Sequence, residues 1–313
     1  MTQRLPLGID VGTSRVRIVA MRRYRGGPSR VESAAARDVP NPNGSSEPAA
    51  ISSAIAEAIA EIGWRRGSCV LALPLRQAEM RCMEIPPMSA SERLRAARLE
   101  SALFVPSSER DAPTQVRIQP IDGTNVHLVV VASLAAIRSR MRIVSGTRLA
   151  VRAMDYEPFA LQRAFPNADA ILDVGFRQSR LYGRLAPPIR NQSIDGGGAA
   201  FTDAIAAALS IDIAQAERRK RSVGVAGACE EELDAFVRRV CDAVTALREH
   251  SMVRSLGVTG NGSRIPGLIE RLTTAASVAL ELPMHAPEDA HSRDASFAFD
   301  FALAASLAVW AID

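Results

Sequence analysis

Three short stretches of the chain bring together the residue types that handle phosphate. Gly8-Ile9-Asp10-Val11-Gly12-Thr13-Ser14 opens the chain, Leu172-Asp173-Val174-Gly175 stands at its middle, and Val258-Thr259-Gly260-Asn261-Gly262-Ser263 comes late. In the first two, an apolar run ends in Asp-Val-Gly. Glycine lets backbone amides reach an anion with no Cβ in the way, Ser and Thr hydroxyls donate to phosphate oxygens, and a carboxylate holds hydrated magnesium. Two such turns facing each other clamp a triphosphate between two lobes. One turn alone is no more than a hairpin; the ordered set carries the reading.

Other chemistries find less support. No Gly-x-Ser-x-Gly elbow and no Walker A pattern occurs. Cys69, Cys82, Cys229 and Cys241 form no Cys-x-x-Cys pair. They read as reduced, mostly buried thiols of a cytosolic protein rather than zinc ligands. His285 and His291 flank Glu288 and Asp289, but the segment reads as a loop. Only 4% of the residues are aromatic, which leaves little surface for stacking single-stranded nucleic acid. The net charge of +4 suits an anionic ligand or membrane leaflet and does not by itself indicate DNA. Lys220 is the single lysine of 38 basic residues, so its place in the fold matters. Arg218–Arg221 reads as a solvated helix face.

The elements that must position these residues follow from pattern. With 313 residues, 47% hydrophobic and 23% charged, the chain is long enough for a bilobal unit with a sizeable core. Leu7–Asp10 and Val16–Met21 read as a hairpin around Gly12-Thr13-Ser14. Residues 26–30 and 40–48 read as loops. Ile51, Ile55, Ile59 and Ile62 mark a helix, and Cys69–Leu73 a buried strand. Residues 76–150 read as a small α/β unit: a strand at Met80–Ile85, and a helix from the Ser89–Glu92 capping box to about Phe104. Strands near Val116–Ile121 and Val126–Ser133 follow, then a helix carrying Leu134, Ile137, Met141 and Val144. Ala170–Val174 with Arg180–Arg184 forms a second hairpin. Gly196-Gly197-Gly198 opens a helix carrying Phe201, Ile205 and Leu209, and residues 210–254 are helical. Ser255–Thr259 is a third strand, with a helix after Pro266. Nothing at the N-terminus has the apolar core of an export signal. The run Phe301–Ile312 is too short to span a bilayer, which takes ~20 residues. It reads as a buried closing helix, with a membrane-surface tail as the alternative.

The order and separation of the three turns resemble the phosphate-one, phosphate-two and adenosine motifs of the actin, Hsp70 and sugar-kinase superfamily. Within it the chain most resembles the PilM-like type IV pilus assembly proteins, and behind them FtsA. The resemblance rests on Gly8–Ser14, Leu73-Pro74, Glu84-Ile85-Pro86-Pro87-Met88, and Glu100 with Phe104-Val105-Pro106. It also rests on Asp155-Tyr156-Glu157-Pro158-Phe159-Ala160-Leu161 and, most specifically, Thr259–Leu268. It implies an α/β, actin-like (ribonuclease H-like) bilobal fold. Lobe one would span 1–170, with its core in 1–75 and 151–170 and a partner-docking insert at 76–150. Lobe two would span 171–313, with its core in 171–209 and 255–313 and a helical part at 210–254.

The resemblance implies ATP with Mg2+ in the cleft. Asp10, Gly12, Thr13, Ser14, Asp173, Gly175, Gly196, Gly197, Glu217, Lys220, Gly260, Gly262 and Ser263 would hold the nucleotide, and Asp10 and Asp173 the metal through water. Glu217 and Lys220 fall where such proteins approach the nucleoside. The implied partner is the cytoplasmic tail of a PilN-like inner-membrane protein, and the implied location is the cytoplasmic face of that membrane. Departures bear on turnover. Phe176, Arg177 and Gln178 replace the small hydroxylated residues usual after the second Asp-x-Gly, and Asn261 stands where glycine is commoner. Nucleotide binding with at most weak hydrolysis is the expectation. An FtsA-like filament protein and a small-molecule kinase are the alternatives.

Overall fold

The structure, a computed structural model, describes residues 2–25, 27, 29–40, 47–101, 113–121, 123–184, 190–285 and 295–310. Phe104, Val105, Pro106, Glu288, Asp289, His291 and the end of the C-terminal apolar run lie outside them.

Two sheets repeat one topology. In the first, β2 (Leu7–Val11) pairs antiparallel with β3 (Arg15–Tyr24), and β3 with β4 (Ser29–Asp38). On its other side β2 runs parallel to β5 (Gly67–Leu73), and β5 to β9 (Leu149–Tyr156). A short β1 (Thr2–Arg4) extends β3. In the second sheet, β10 (Ala170–Val174) pairs antiparallel with β11 (Gln178–Gly183), and β11 with β12 (Asn191–Asp195). Beyond β10 lie β13 (Ser255–Thr259) and β14 (Ala279–Glu281), both parallel. Asp10 and Asp173 therefore occupy equivalent places, near the carboxyl end of the first strand of each repeat.

The first core gathers Leu7, Ile9, Ile18, Cys69 and Leu71 under α1 (Pro48–Glu61). Proline at the first helical turn starts α1 without losing a hydrogen bond, and Gly63 at φ +65° ends it. The second core packs Leu172, Val174 and Val258 against Phe201 of α5 (Gly198–Leu209) and Phe236, Val240 and Val244 of α7 (Glu230–Arg248). Between these helices, α6 (Ile213–Val223) starts at a capping box of Asp212 and Gln215. α8 (Leu268–Ala276) packs beside α7.

Residues 76–150 carry their own three-stranded antiparallel sheet, β6 (Glu79–Glu84), β8 (Val126–Ser133) and β7 (Thr114–Pro120) in that order. α2 (Ala90–Ser101) covers it, burying Ala97 against Met83, Val116, Val129 and Val131. The Ser89–Glu92 capping box forms as read: Ser89 N–H donates to Glu92 Oε2 at 2.9 Å. α3 (Leu134–Arg142), capped by Ser133, leads back to the first lobe.

The C-terminal helix differs from expectation. α9 spans Ala295–Ala308, so Asp300 sits inside it rather than before it. The 171–313 division assigns it to the second lobe, yet it lies against β2, β3 and α4 (Glu157–Ala164). Phe301, Ala304, Ala305 and Ala308 cover Leu5, Val19 and Met21, while Thr259 of the second sheet donates to Phe299 O at 2.8 Å. α9 is shared between the lobes. The strands β1, β4, β9, β12 and β14 are not legible from pattern. The described thiols are all free, but only Cys69 is buried; Cys82 is exposed and the other two half-buried, which corrects the mostly buried expectation. Among the described residues no single helix is long and apolar enough to cross a membrane.

Candidate functional site

The first turn is a tight hairpin. Gly12 N–H donates to Arg15 O at 2.9 Å, and Ser14 O accepts from Val39 N–H at 2.8 Å. Asp10 and Arg17 are cross-strand partners in this hairpin, so their side chains share one face. Arg17 Nη1 donates to Asp10 Oδ2 at 3.2 Å and Arg17 Nε to Asp300 Oδ1 at 2.6 Å. Arg264, from the Asn261–Arg264 turn, reaches Asp300 Oδ2 at 3.3 Å. Arg17 is 4% exposed and Asp300 2%. Burial raises the Asp10 pKa, opposed by the charges of Arg17 and Arg140 and reinforced by Asp300.

The second and third turns interlock. A Cβ on Gly260, which sits at φ +88°, would overlap Asp173 Oδ1, and one on Gly262 would overlap Val174. A Cβ on Gly197 would come within 2.8 Å of Phe176 O. These glycines are required by the close approach of protein to protein, whereas the sequence reading assigns them to a ligand. Gly198 and Ala199, the first residues of α5, donate their N–H groups to Gly175 O and Phe176 O at 2.9 and 2.7 Å. The Gly196–Gly198 cluster thus fixes the second turn to α5 instead of offering those two amides to an anion. Ser263 also turns inward, its hydroxyl donating to Gly260 O at 2.6 Å.

Asp173 and Glu157, both half-buried, complete an acidic cluster with Asp10. Tyr182 OH donates to Glu157 Oε1 at 2.8 Å. Burial pushes Glu157 up. Burial, with the neighbouring charges of Glu157 and Asp10, pushes Asp173 up to about 7, against the pull of Arg17 and Arg180. Between the ordinary value of 3.8 and about 7 the folded protein keeps a proton that the unfolded chain releases. Stability therefore falls as pH rises through that window, and the loss is complete above it. A pKa unit is worth about 1.4 kcal/mol, and Asp173 is partly open to solvent. Asp173→Asn should stabilise the free protein by on the order of 2 kcal/mol above about pH 7. The gain should vanish below about pH 4 in urea unfolding curves. An equal effect at both pH values would show that the carboxylate does not titrate in this way.

The nucleoside end departs from expectation. Lys220 is buried, not solvated, and its ammonium donates to Gly198 O, Thr202 Oγ1 and Glu217 Oε2 at 2.6, 2.7 and 2.6 Å. Three protons meet three acceptors, so the ammonium is fully engaged within the protein. Glu217 in turn accepts from Arg221 Nε at 2.8 Å. Arg221 reaches across to Asp38 of β4 at 3.5 Å, and Asp38 also meets Arg15 at 3.3 Å.

The structure thus brings Asp10, Asp173, Gly175, Gly260 and Gly262 to one cleft and sets Glu217 and Lys220 beside α5. Among the described residues no group of three or more His, Cys, Asp and Glu side chains could hold a metal ion. A metal at this site would rest on Asp10 and Asp173, and Asp10 already shares its charge with Arg17. Sequence reasoning misses Arg17, Arg140, Glu157, Arg180 and Asp300 as members of the site. Arg17 and Arg180 have a signal: each stands on the return strand opposite an aspartate of an Asp-Val-Gly turn.

Two repeats of one sheet, an aspartate at the end of each first strand, and a small sheet inserted into the first repeat define the actin-like ATPase fold. The chain belongs to the PilM family: the model described as type IV pilus assembly protein PilM matches residues 8–283. A solved PilM–PilN type IV pilus biogenesis complex is similar over 98% of this chain and 98% of that one, at 23% identity and TM-score 0.77. The ethanolamine utilization protein EutJ of Carboxydothermus hydrogenoformans is similar over 98% of this chain and 90% of that one, at 13% identity and TM-score 0.57. No curated protein sequence matches.

Proposed function

We propose that the chain is a nucleotide-binding scaffold of a type IV pilus assembly platform. It sits at the cytoplasmic face of the inner membrane and docks the cytoplasmic tail of a PilN-like membrane protein through the 76–150 unit. The carrying observation is the convergence of Asp10, Asp173 and the Gly260 turn on one cleft between two equivalent sheets. Two carboxylates held there at raised pKa are relieved by a divalent cation, which fits a magnesium nucleotide. Gly12, Thr13 and Ser14 provide the remaining phosphate contacts. Lys220 acts at the nucleoside end by fixing Glu217 and the first turn of α5, not through a free ammonium. The partner follows from family membership and from the fold shared with the PilM–PilN complex.

Asp10→Ala should fold, because Arg17 keeps Asp300. The variant should lose Mg-ATP binding by calorimetry while keeping its affinity for a PilN-type tail peptide. Equal ATP affinity in the variant would remove the nucleotide assignment; failure of both proteins to bind the peptide would remove the scaffold assignment.

One observation favours a second reading, a phosphoryl-transfer enzyme. Glu157 is a half-buried carboxyl with a raised pKa that lies in the fields of Asp10 and Asp173, which suits a general base. Steady-state phosphate release well above that of the Asp10→Ala control would support it.

A further inference from the structure

Arg140 stands out among the buried cations. It lies near the end of α3, the helix that joins the inserted sheet to the first lobe, and is only 9% exposed. Arg17, the other strongly buried arginine, has two carboxylate partners. Arg140 has no ion pair among the described residues. Its single hydrogen bond runs from Nη2 to Val11 O at a long 3.4 Å, and its Nε is buried without a partner. A guanidinium carries five N–H donors in a planar fork. In Arg140 the Nε–H is out of water with no acceptor and Nη2 has only the long bond to Val11 O, which is costly and calls for a further acceptor.

Its surroundings say which acceptor. Val11 O is the carbonyl just before the Gly12-Thr13-Ser14 turn, so the guanidinium sits at the candidate phosphate site. Asp10 and Glu157 attract it without pairing with it, and Arg76 repels it. Arg76 is exposed on the short turn Leu75–Gln77. Arg140 is thus the buried cation that α3 brings against the first turn, with the charge of Arg76 nearby. The fork geometry of arginine matches two oxygens of one phosphate.

We propose that Arg140 is a phosphate ligand supplied to the cleft by the inserted unit, taking the phosphate chain of a nucleoside triphosphate beside the Gly12–Ser14 turn. This rests on the nucleotide reading above and adds to it a residue that the turn motifs do not contain. It also ties the insert to the cleft physically, because α3 leaves the inserted strand β8 directly.

The test compares wild type, Arg140→Met and Arg140→Lys in the full chain. Thermal unfolding is read without ligand, and calorimetry is run with Mg-ATP, inorganic triphosphate and adenosine. Arg140→Met should bind ATP and triphosphate about ten- to a hundredfold more weakly, as for loss of a charged hydrogen-bond pair, with adenosine unchanged. Its ligand-free melting temperature should equal or exceed that of wild type, because an unpaired buried charge has gone. Arg140→Lys keeps the charge but loses the fork, and should fall between the two in ATP affinity. A lowered ligand-free melting temperature with unchanged ATP and triphosphate affinity in both variants would make Arg140 a structural residue and overturn the proposal. Wild type binding none of the three ligands would instead overturn the nucleotide reading itself.

Discussion

Asp300→Ala should lower the unfolding free energy by about 3–5 kcal/mol, the usual cost of removing one partner of a buried ion pair. Asp300 is 2% exposed and its carboxylate lies between Arg17 and Arg264. Arg17 is 4% exposed, and its shorter bond goes to Asp300 rather than to Asp10. Without Asp300, the Arg17 Nε loses its acceptor inside the protein, and Asp10 becomes the only carboxylate paired with the guanidinium among the described residues. The Asp10 pKa should then fall, because a repelling carboxylate has gone while the attraction of Arg17 remains. Replacing both partners, as in Arg17→Met with Asp300→Leu, should recover much of the stability while abolishing the link between α9 and the first turn. Urea unfolding of the two single variants and the double variant tests this. A loss below about 1 kcal/mol for Asp300→Ala would place the pair in the class of solvated surface bridges.

This network also shows why part of the site escapes the sequence. Asp-Val-Gly turns are local, and Asp10, Gly12, Asp173 and Gly260 can be read from adjacent residues. Asp300 is separated from Arg17 by most of the chain. Taken alone it reads as the polar edge of an apolar run, since nothing local marks a buried carboxylate. Glu157 is visible only within a family motif, because its role comes from β9 delivering the first turn of α4 to the cleft. Lys220 illustrates the opposite error. A lysine within a basic run on a polar helix reads as solvated, and the glycine cluster that admits it lies on a different helix. Gly198 O accepts its proton, and the missing Cβ there leaves room for the ammonium.

The same holds for the elements. Strands with alternating or continuous apolar residues, such as β2, β5, β8, β10 and β13, are legible. β4 is not: Ala35 is the only fully buried position in Ser29–Asp38, so its period-two signal is faint and its pairing with β3 holds it in place. β12 buries only Ile194 for the same reason. β9 follows a short turn after α3 and alternates weakly, with only Asp155 and Tyr156 at its end buried.

Gly8→Ala should be among the most damaging single methyl additions to this fold. Gly8 is in β2 with ordinary strand geometry, so a left-handed backbone is not the reason for glycine here. The reason is α9, which crosses β2 so closely that a Cβ at position 8 would overlap Ala304 O and come within 2.7 Å of Ala308 N. Both are helix backbone atoms and cannot rotate away as a side-chain tip can. To accept the methyl, α9 would have to lift by about 1–2 Å, stripping dispersion contacts from Val19, Met21, Ala304 and Ala308 along its length. Overpacking that shifts a whole element lies at the severe end of point-mutant effects, so a loss of about 4 kcal/mol or more is expected. Asp300 stands about one helical turn before Ala304 on α9, so the shift would also part Arg17 from Asp300. Gly123→Ala is the matched control: at φ +73° with no atom near its Cβ, it carries backbone strain alone and should cost about 1 kcal/mol. Unfolding curves in urea separate the two. A Gly8→Ala loss no larger than that of Gly123→Ala would mean that α9 moves freely over β2, and the shared-helix description of the two lobes would fall with it.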